Sequence, residues 1–203
     1  DLYSEEYGAL EVFNDSDFDD NRSKIVLDWF ALLNSGKRMW AVGSSDSHGL
    51  RTSPTGYPRT CLSFGHDDPT RLSPELLRDA LRAGKATISG GLYLTVRGPD
   101  GESPGGEIRS AGGPVTLQVT VQSPKWLAAK RLETIVDGET VATEELRETV
   151  TPQGRRYDAT VTVRGKAGRP RHWVVFHASS GGADLSPVHP GRKAFAVSNP
   201  IFF

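Results

Sequence analysis

Apolar and polar positions change rhythm partway along this chain. Up to Gly91 the pattern alternates strand-like and helix-like stretches in the manner of α/β units. Ala9 to Phe13 is a short apolar run carrying one acid, Glu11, and the polar stretch NDSDFDDN after it offers several helix N-caps. Ile25, Trp29, Leu32 and Leu33 then fall at helical spacing on one face. Gly36 stands where a left-handed cap is expected, and Lys37 and Arg38 suit the negative helix end. Met39 to Val42 predicts a second strand. Ser73 as N-cap, Pro74 at the first helical position and Gly84 as terminator mark another helix, with Leu76, Leu77, Ala80 and Leu81 as its predicted buried stripe. Thr87 and Ile88 lead into Ser89-Gly90-Gly91, which reads as the end of a first domain.

From Leu92 the helical signals stop. Val115, Leu117, Val119 and Val121 alternate with polar residues, as do Tyr157, Ala159, Val161 and Val163, the pattern of half-buried strands. Leu132 to Val136 is a further strand, followed by the hairpin signal Asp137-Gly138. His172 to Ala178 and Ala194 to Phe203 complete the set, and residues 98–107 (GPDGESPGGE) read as a turn-rich loop. The expectation is an α/β piece over residues 1–91 and an antiparallel, immunoglobulin-like β-sandwich over residues 92–203.

Composition narrows the function classes. A net charge of −1 leaves no basic surplus to neutralise phosphates, so no nucleic-acid partner is expected. One cysteine, Cys61, excludes a disulfide framework and a cysteine-rich zinc site, and fits either redox compartment, so location stays open. No apolar run approaches the ~20 residues of a membrane-spanning helix. The start, DLYSEEYG, has neither an initiator Met nor a signal-peptide pattern and enters a strand almost at once. It reads as a piece cut from a longer polypeptide.

The chemistry concentrates in AVGSSDSHG, residues 41–49. Asp46 and His48 follow a predicted strand, two residues apart, so in extended backbone their side chains point the same way. A carboxylate and an imidazole on one side suit Zn, Mn or Fe, and Gly43 and Gly49 allow a tight turn around them. Asp-x-His alone is a weak pattern, since a serine-rich turn often carries Asp to hydrogen-bond its own backbone.

The run ALEVFN, the segment DWFALLNSGKR, then AVGSSDSH, GYPRT and SPELLRDALRAGKATISGG together resemble the closing part of a PHP domain, a metal-dependent hydrolase domain related to polymerase and histidinol phosphatases. The nearest likeness is to the CehA/McbA-like branch, in which a carboxyl-terminal β-sandwich often follows. The resemblance spans residues ~5 to 91 and extends more loosely through TLQVTVQSPKWLAAKRLETIVDGE and AFAVSNPIFF. It implies the carboxyl-terminal part of a distorted (β/α)7, TIM-like barrel, with up to three divalent metal ions at the strand ends and Asp46 and His48 as the last ligand pair. It further implies hydrolysis of a phosphoester, or of a carbamate or aryl ester, by metal-activated water.

The family pattern also calls for an amino-terminal His-x-His pair, further histidines and a glutamate. The five histidines are His48, His66, His172, His177 and His189, and no two are two residues apart. Two ligands do not make a site that takes three or four protein groups per ion. This chain alone is therefore expected to be inactive, with metal absent or weakly bound. A half-barrel would also need its missing amino-terminal half, or a self-association partner, to cover it. The alternative from another class is a non-enzymatic binding or adhesion module with a degenerate half-barrel.

Other candidates are Glu11, which alternation would turn into a barrel interior, and Asn14 at the end of that run. Arg59 in GYPRT would orient an anionic substrate, or fix its loop through a salt bridge. Cys61 reads as a small buried strand residue, and His66 as part of a loop leading to the Ser73 cap. His172 and His177 fall on opposite strand faces and cannot form one site. Trp126 and Trp173 offer sugar-stacking faces, though core positions are commoner for tryptophan.

Overall fold

Strict alternation gives a strand one dry and one wet face; a continuous apolar run gives a strand dry on both. Both kinds occur. Val115–Ser123 and Arg155–Val163 bury alternate side chains, whereas every residue from Trp173 to Ala178 is buried. The second kind needs a layer on each face. The computed structural model, which describes residues 7–14, 18–49, 55–110 and 112–203, supplies both layers.

In chain order the strands are β1 (Ala9–Asn14), β2 (Trp40–Ser44), β3 (Arg59–Leu62), β4 (Ala86–Gly90), β5 (Tyr93–Arg97), β6 (Val115–Ser123) and β7 (Arg131–Val136). They continue with β8 (Glu139–Glu145), β9 (Glu148–Val150), β10 (Arg155–Val163), β11 (Trp173–Leu185), β12 (His189–Ser198) and β13 (Ile201–Phe202). The helices are α1 (Phe18–Ser23), α2 (Ile25–Asn34) and α3 (Pro74–Arg82). A four-stranded sheet, order β5-β6-β10-β9, faces a seven-stranded sheet, order β3-β4-β12-β11-β7-β8 with β13 paired to β11. Leu117, Val119, Val121 and Val161 of the smaller sheet and Leu132, Val174, Phe176 and Ala196 of the larger one are all buried. The other face of the large sheet lies under α1, α2 and a separate pair of parallel strands, β1 and β2. Phe30 of α2 meets Trp173 at 5.0 Å between ring centres, and Phe13 of β1 meets Phe195 at 4.7 Å.

The sandwich agrees with the sequence reading; the barrel does not. A (β/α)7 or TIM-like barrel, even in part, grows by adding parallel strands edge to edge. Here one β1–α1–α2–β2 crossover forms one parallel pair. The following strands, β3 and β4, pair antiparallel with each other, and β4 pairs antiparallel with β12 in the large sheet. The physical reason lies at the far edge of β2, where side chains take the place of a third strand. The Asn199 amide accepts from Ala41 N–H at 2.7 Å and donates to Ala41 C=O at 3.0 Å. Thr60 hydroxyl accepts from Gly43 N–H at 2.9 Å and donates to Gly43 C=O at 2.8 Å. Both main-chain groups of alternate β2 residues are thus satisfied, as a neighbouring strand would satisfy them.

Gly43 belongs to this contact rather than to a turn. A Cβ there would lie 2.7 Å from Ile88 Cγ2 and 3.3 Å from the Phe13 carbonyl, so β2 rests on β4 only because position 43 has no side chain.

Local signals fared well elsewhere. Ser73 Oγ accepts from Leu76 N–H at 3.2 Å as the cap of α3, and Gly36 takes its left-handed conformation after α2. The N-cap candidates Asp15, Ser16 and Asp17 lie outside the described residues. The predicted α3 stripe is a correction. Only Ala80 is buried, while Leu77 and Leu81 are 41% and 37% exposed. The helix is amphipathic, but it packs through Ala80 and the half-buried Leu76, leaving the Leu77 and Leu81 flank of its apolar face exposed.

Asn199→Leu and Thr60→Val keep approximate shape and remove the surrogate pairing. Each is expected to lower unfolding stability by about 1–3 kcal/mol per main-chain group left unpaired, read from urea unfolding midpoints. A loss no larger than that of a neutral surface substitution would show that these side chains do not dock β2.

Candidate functional site

Because β1 and β2 run parallel, their carboxyl ends lie side by side, with Phe13 opposite Gly43 and Asn14 opposite Ser44. A register shift between Glu11 and Phe13 breaks the alternation of β1. Val12 and Phe13 are therefore both buried and Glu11 is exposed at the rim, not directed into an interior. The Ser44 hydroxyl donates to one Glu11 oxygen, and Asn14 Nδ2 donates to the other at 3.0 Å. Asn21 Nδ2 donates to the Asn14 carbonyl at 2.7 Å, which ties α1 to the same rim.

Two residues past β2, Asp46 has φ +43°, the left-handed region that Asp tolerates better than most side chains. His48 Nε2 lies 2.9 Å from Asp46 Oδ1. The two side chains do converge, but through a left-handed kink rather than through strand alternation. Both stand in solvent, with 82% of the His48 and 49% of the Asp46 side chain exposed.

The fit to a metal can be judged from this donor set. Asp46 and His48 offer a hard oxygen and a borderline nitrogen within reach of one ion. Glu11 is the other acid of the rim, with both its oxygens engaged by Ser44 and Asn14. Among the described residues no group of three or more His, Cys, Asp or Glu is placed to hold a metal ion. The described residues thus furnish part of a metal site and not a whole one.

The remaining candidates lie elsewhere. Thr60 points at β2, so Arg59 beside it belongs to the opposite face, where its guanidinium donates to the Gly56 carbonyl at 3.1 Å. Cys61 is half-buried on β3. His66 accepts from Asp68 N–H at 3.3 Å, and Asp68 in turn caps a short 3-10 turn before Ser73. Trp173 is buried, and its indole N–H donates to Asn34 Oδ1 at 3.0 Å, while Trp126 is 48% exposed.

Compared with known proteins, the chain matches no family model, and no curated protein or solved structure is significantly similar to it.

Two buried clusters escaped the sequence reading. His172 Nδ1 lies 2.7 Å from Asp137 Oδ2 at the turn after β7. On the opposite face, His177 of β11 sits beside Glu133 of β7 as its register partner, with Nδ1 3.0 Å from Glu133 Oε2. Arg22 of α1 reaches in to pair with the same carboxylate. Phe18 covers the imidazole at 5.4 Å, and His177 Nε2 is buried with no partner among the described residues. Glu133 and His177 are polar interruptions of apolar strands, a visible signal, but pairing them required the register.

Burial pushes the His177 imidazole below its ordinary value near 6.5, against the pull of Glu133. His177 Nδ1 stands 3.0 Å from both Glu133 Oε2, an acceptor, and Arg22 Nη1, a donor, so the imidazole is held against this charged pair through one nitrogen while Nε2 meets no partner among the described residues. The His177 hydrogen bond, then the charges of His177 and Arg22, hold the Glu133 carboxyl down to about 2. Both shifts are depressions. The His177 contribution is full above about pH 6.5 and declines as the pH falls below it, because the unfolded chain then binds a proton that the folded chain refuses. The Glu133 contribution is full above about 4.5 and declines toward 2. Thermal stability should therefore fall from pH 7 to pH 5, and His177→Asn, which keeps a donor near the Nδ1 position, should flatten that interval. An unchanged slope in the variant would assign it to other groups.

Proposed function

We propose that this chain belongs to a PHP-type metal-dependent hydrolase acting on a phosphoester or on a carbamate or aryl ester, to which it contributes Asp46 and His48 as ligands. The observation that carries this reading is the convergence of Asp46 Oδ1 and His48 Nε2 at the joined carboxyl ends of two parallel strands. Such strand ends are where α/β units present functional groups. The ligands that complete the site lie outside the described residues. A bound divalent ion would acidify a water and polarise the ester. The residues of this chain hold the rim: Asp46 and His48 as donors, with Glu11 fixed by Ser44 and Asn14 beside them. No part of this reading requires the chain to form a barrel.

The exposed leucines of α3, Leu77 and Leu81, favour a covering partner, either further polypeptide of the same protein or a second copy. A Leu77→Glu, Leu81→Glu variant is expected to abolish concentration-dependent association in light scattering. Association that persists unchanged would place the contact elsewhere.

The alternative, a binding module without catalysis, draws on the incomplete donor set among the described residues. An activity measurement separates the two. The full-length parent protein supplied with Mn2+ or Zn2+ is expected to hydrolyse an aryl phosphodiester or an aryl carbamate. Asp46→Ala and His48→Ala should each cost more than the ~10- to 100-fold typical of residues behind the ligands. Variants that turn over like the parent would remove the ligand assignment, and a protein inactive with either metal would favour the binding module.

A further inference from the structure

Where α2 crosses the large sheet, the two layers do not close completely. Trp173, Val175 and His177 alternate onto the face of β11 that the helices cover. Between that face and α2 lies a cavity of about 120 Å³, walled by Phe13, Val26, Phe30, Ile135, Val175 and Val197. Its outer end is marked by exposed residues, Leu27 of α2 and Thr140 of β8. His177, only 3% exposed, lines its buried part.

The polar atoms around this space are engaged, with one exception. The Arg22 guanidinium, which also lines the cavity, is taken up by Glu133 and His177 Nδ1. Phe18 and Phe195 flank the imidazole, at 5.4 and 6.4 Å between ring centres. Nδ1 faces Glu133 and Arg22, which leaves Nε2 buried and without a partner among the described residues. A buried polar atom costs stability until something satisfies it.

Size and polarity select what that is. A held water takes about two to four polar partners, and walls that are mostly hydrocarbon do not supply them. An apolar cavity of about 150 Å³ takes up a benzene ring, so the volume here suits a small ring better than a water cluster. Burial favours the uncharged imidazole. Its Nε2 accepts a hydrogen bond in one neutral tautomer and donates in the other, and a hydroxyl answers either. A carboxylate can only accept, and the Glu133 carboxylate already stands beside the same ring.

We propose that this cavity binds a small uncharged molecule with a compact apolar body, about the size of one six-membered ring, and a single hydroxyl that hydrogen-bonds His177 Nε2. The walls supply affinity by burial of hydrocarbon, and Nε2 fixes orientation, the usual division between apolar lining and placed polar group in a small-molecule pocket. The site shares no lining residue with Glu11, Asp46 and His48, and stands whether or not they hold a metal.

Phenol and toluene, alike in size and differing in the hydroxyl, are the probes. Titrations are followed by nitrogen-15 spectra of the histidine side chains and by methyl spectra of the valines. Phenol is expected to bind saturably, to shift the His177 Nε2 resonance and the Val26 and Val175 methyls, and to bind about three- to tenfold more tightly than toluene, as one net hydrogen bond allows. His177→Asn keeps a donor near Nδ1 and has no atom at Nε2, so the two probes should bind it about equally. The titration of the unmodified protein carries the test even if that variant fails to fold. No binding of phenol would leave Nε2 to an ordered water and overturn the proposal. Binding that leaves His177 unshifted overturns it too, as does toluene binding as tightly as phenol.

Discussion

The far edge of β2 is the place on which the rest of this structure depends. A parallel strand pair buried on a sheet has an edge that must find hydrogen-bond partners, because unpaired main-chain groups are costly away from water. Ala41 is fully buried, and its N–H and C=O are met by the Asn199 side chain from the turn after β12. Gly43 is met by Thr60 of β3. Two side chains from segments distant in sequence thus finish an edge that would otherwise call for a third strand. That closure ends the α/β pattern after one crossover and fastens it to the sandwich.

The candidate site inherits its geometry from this closure. Asp46 and His48 follow directly on the strand that Asn199 and Thr60 hold, and the parallel partner brings Glu11 and Asn14 to the same rim. The bulge in β1 and the left-handed Asp46 then adjust the rim locally, one turning Glu11 outward and the other bringing the carboxylate to the imidazole. Beneath it, the Arg22–Glu133–His177 cluster pins α1 to the large sheet. Rim and sandwich are thus mechanically one object, even though their chemistry differs.

What the sequence made legible was what depends on neighbours a few residues away. The helix around Trp29, the Ser73 cap, the Asp137-Gly138 turn and the alternating strands β6 and β10 follow from local pattern, and the structure has them. The barrel expectation failed because a β–α–β rhythm is common to a barrel and to a single crossover on another sheet. The difference rests on Asn199 and Thr60, whose partners lie 158 and 17 residues away. GYPRT looked like a loop, although its last two residues begin β3, because a four-residue strand has too few alternations to declare itself. The leucines of α3 carried a core-facing pattern, but pattern cannot say what lies opposite. Asp46 and His48 were singled out by spacing, and their proximity is present for a backbone reason that spacing did not contain.

Native-state amide exchange at Ala41 and Gly43 addresses the surrogate edge most directly. The account predicts that both amides exchange only on global unfolding in the intact protein. In Asn199→Leu the Ala41 amide, and in Thr60→Val the Gly43 amide, should instead exchange through local opening, with the β6–β10 amides still protected. Protection of Ala41 and Gly43 that survives both substitutions would contradict it, and would mean that some other contact holds β2 in place.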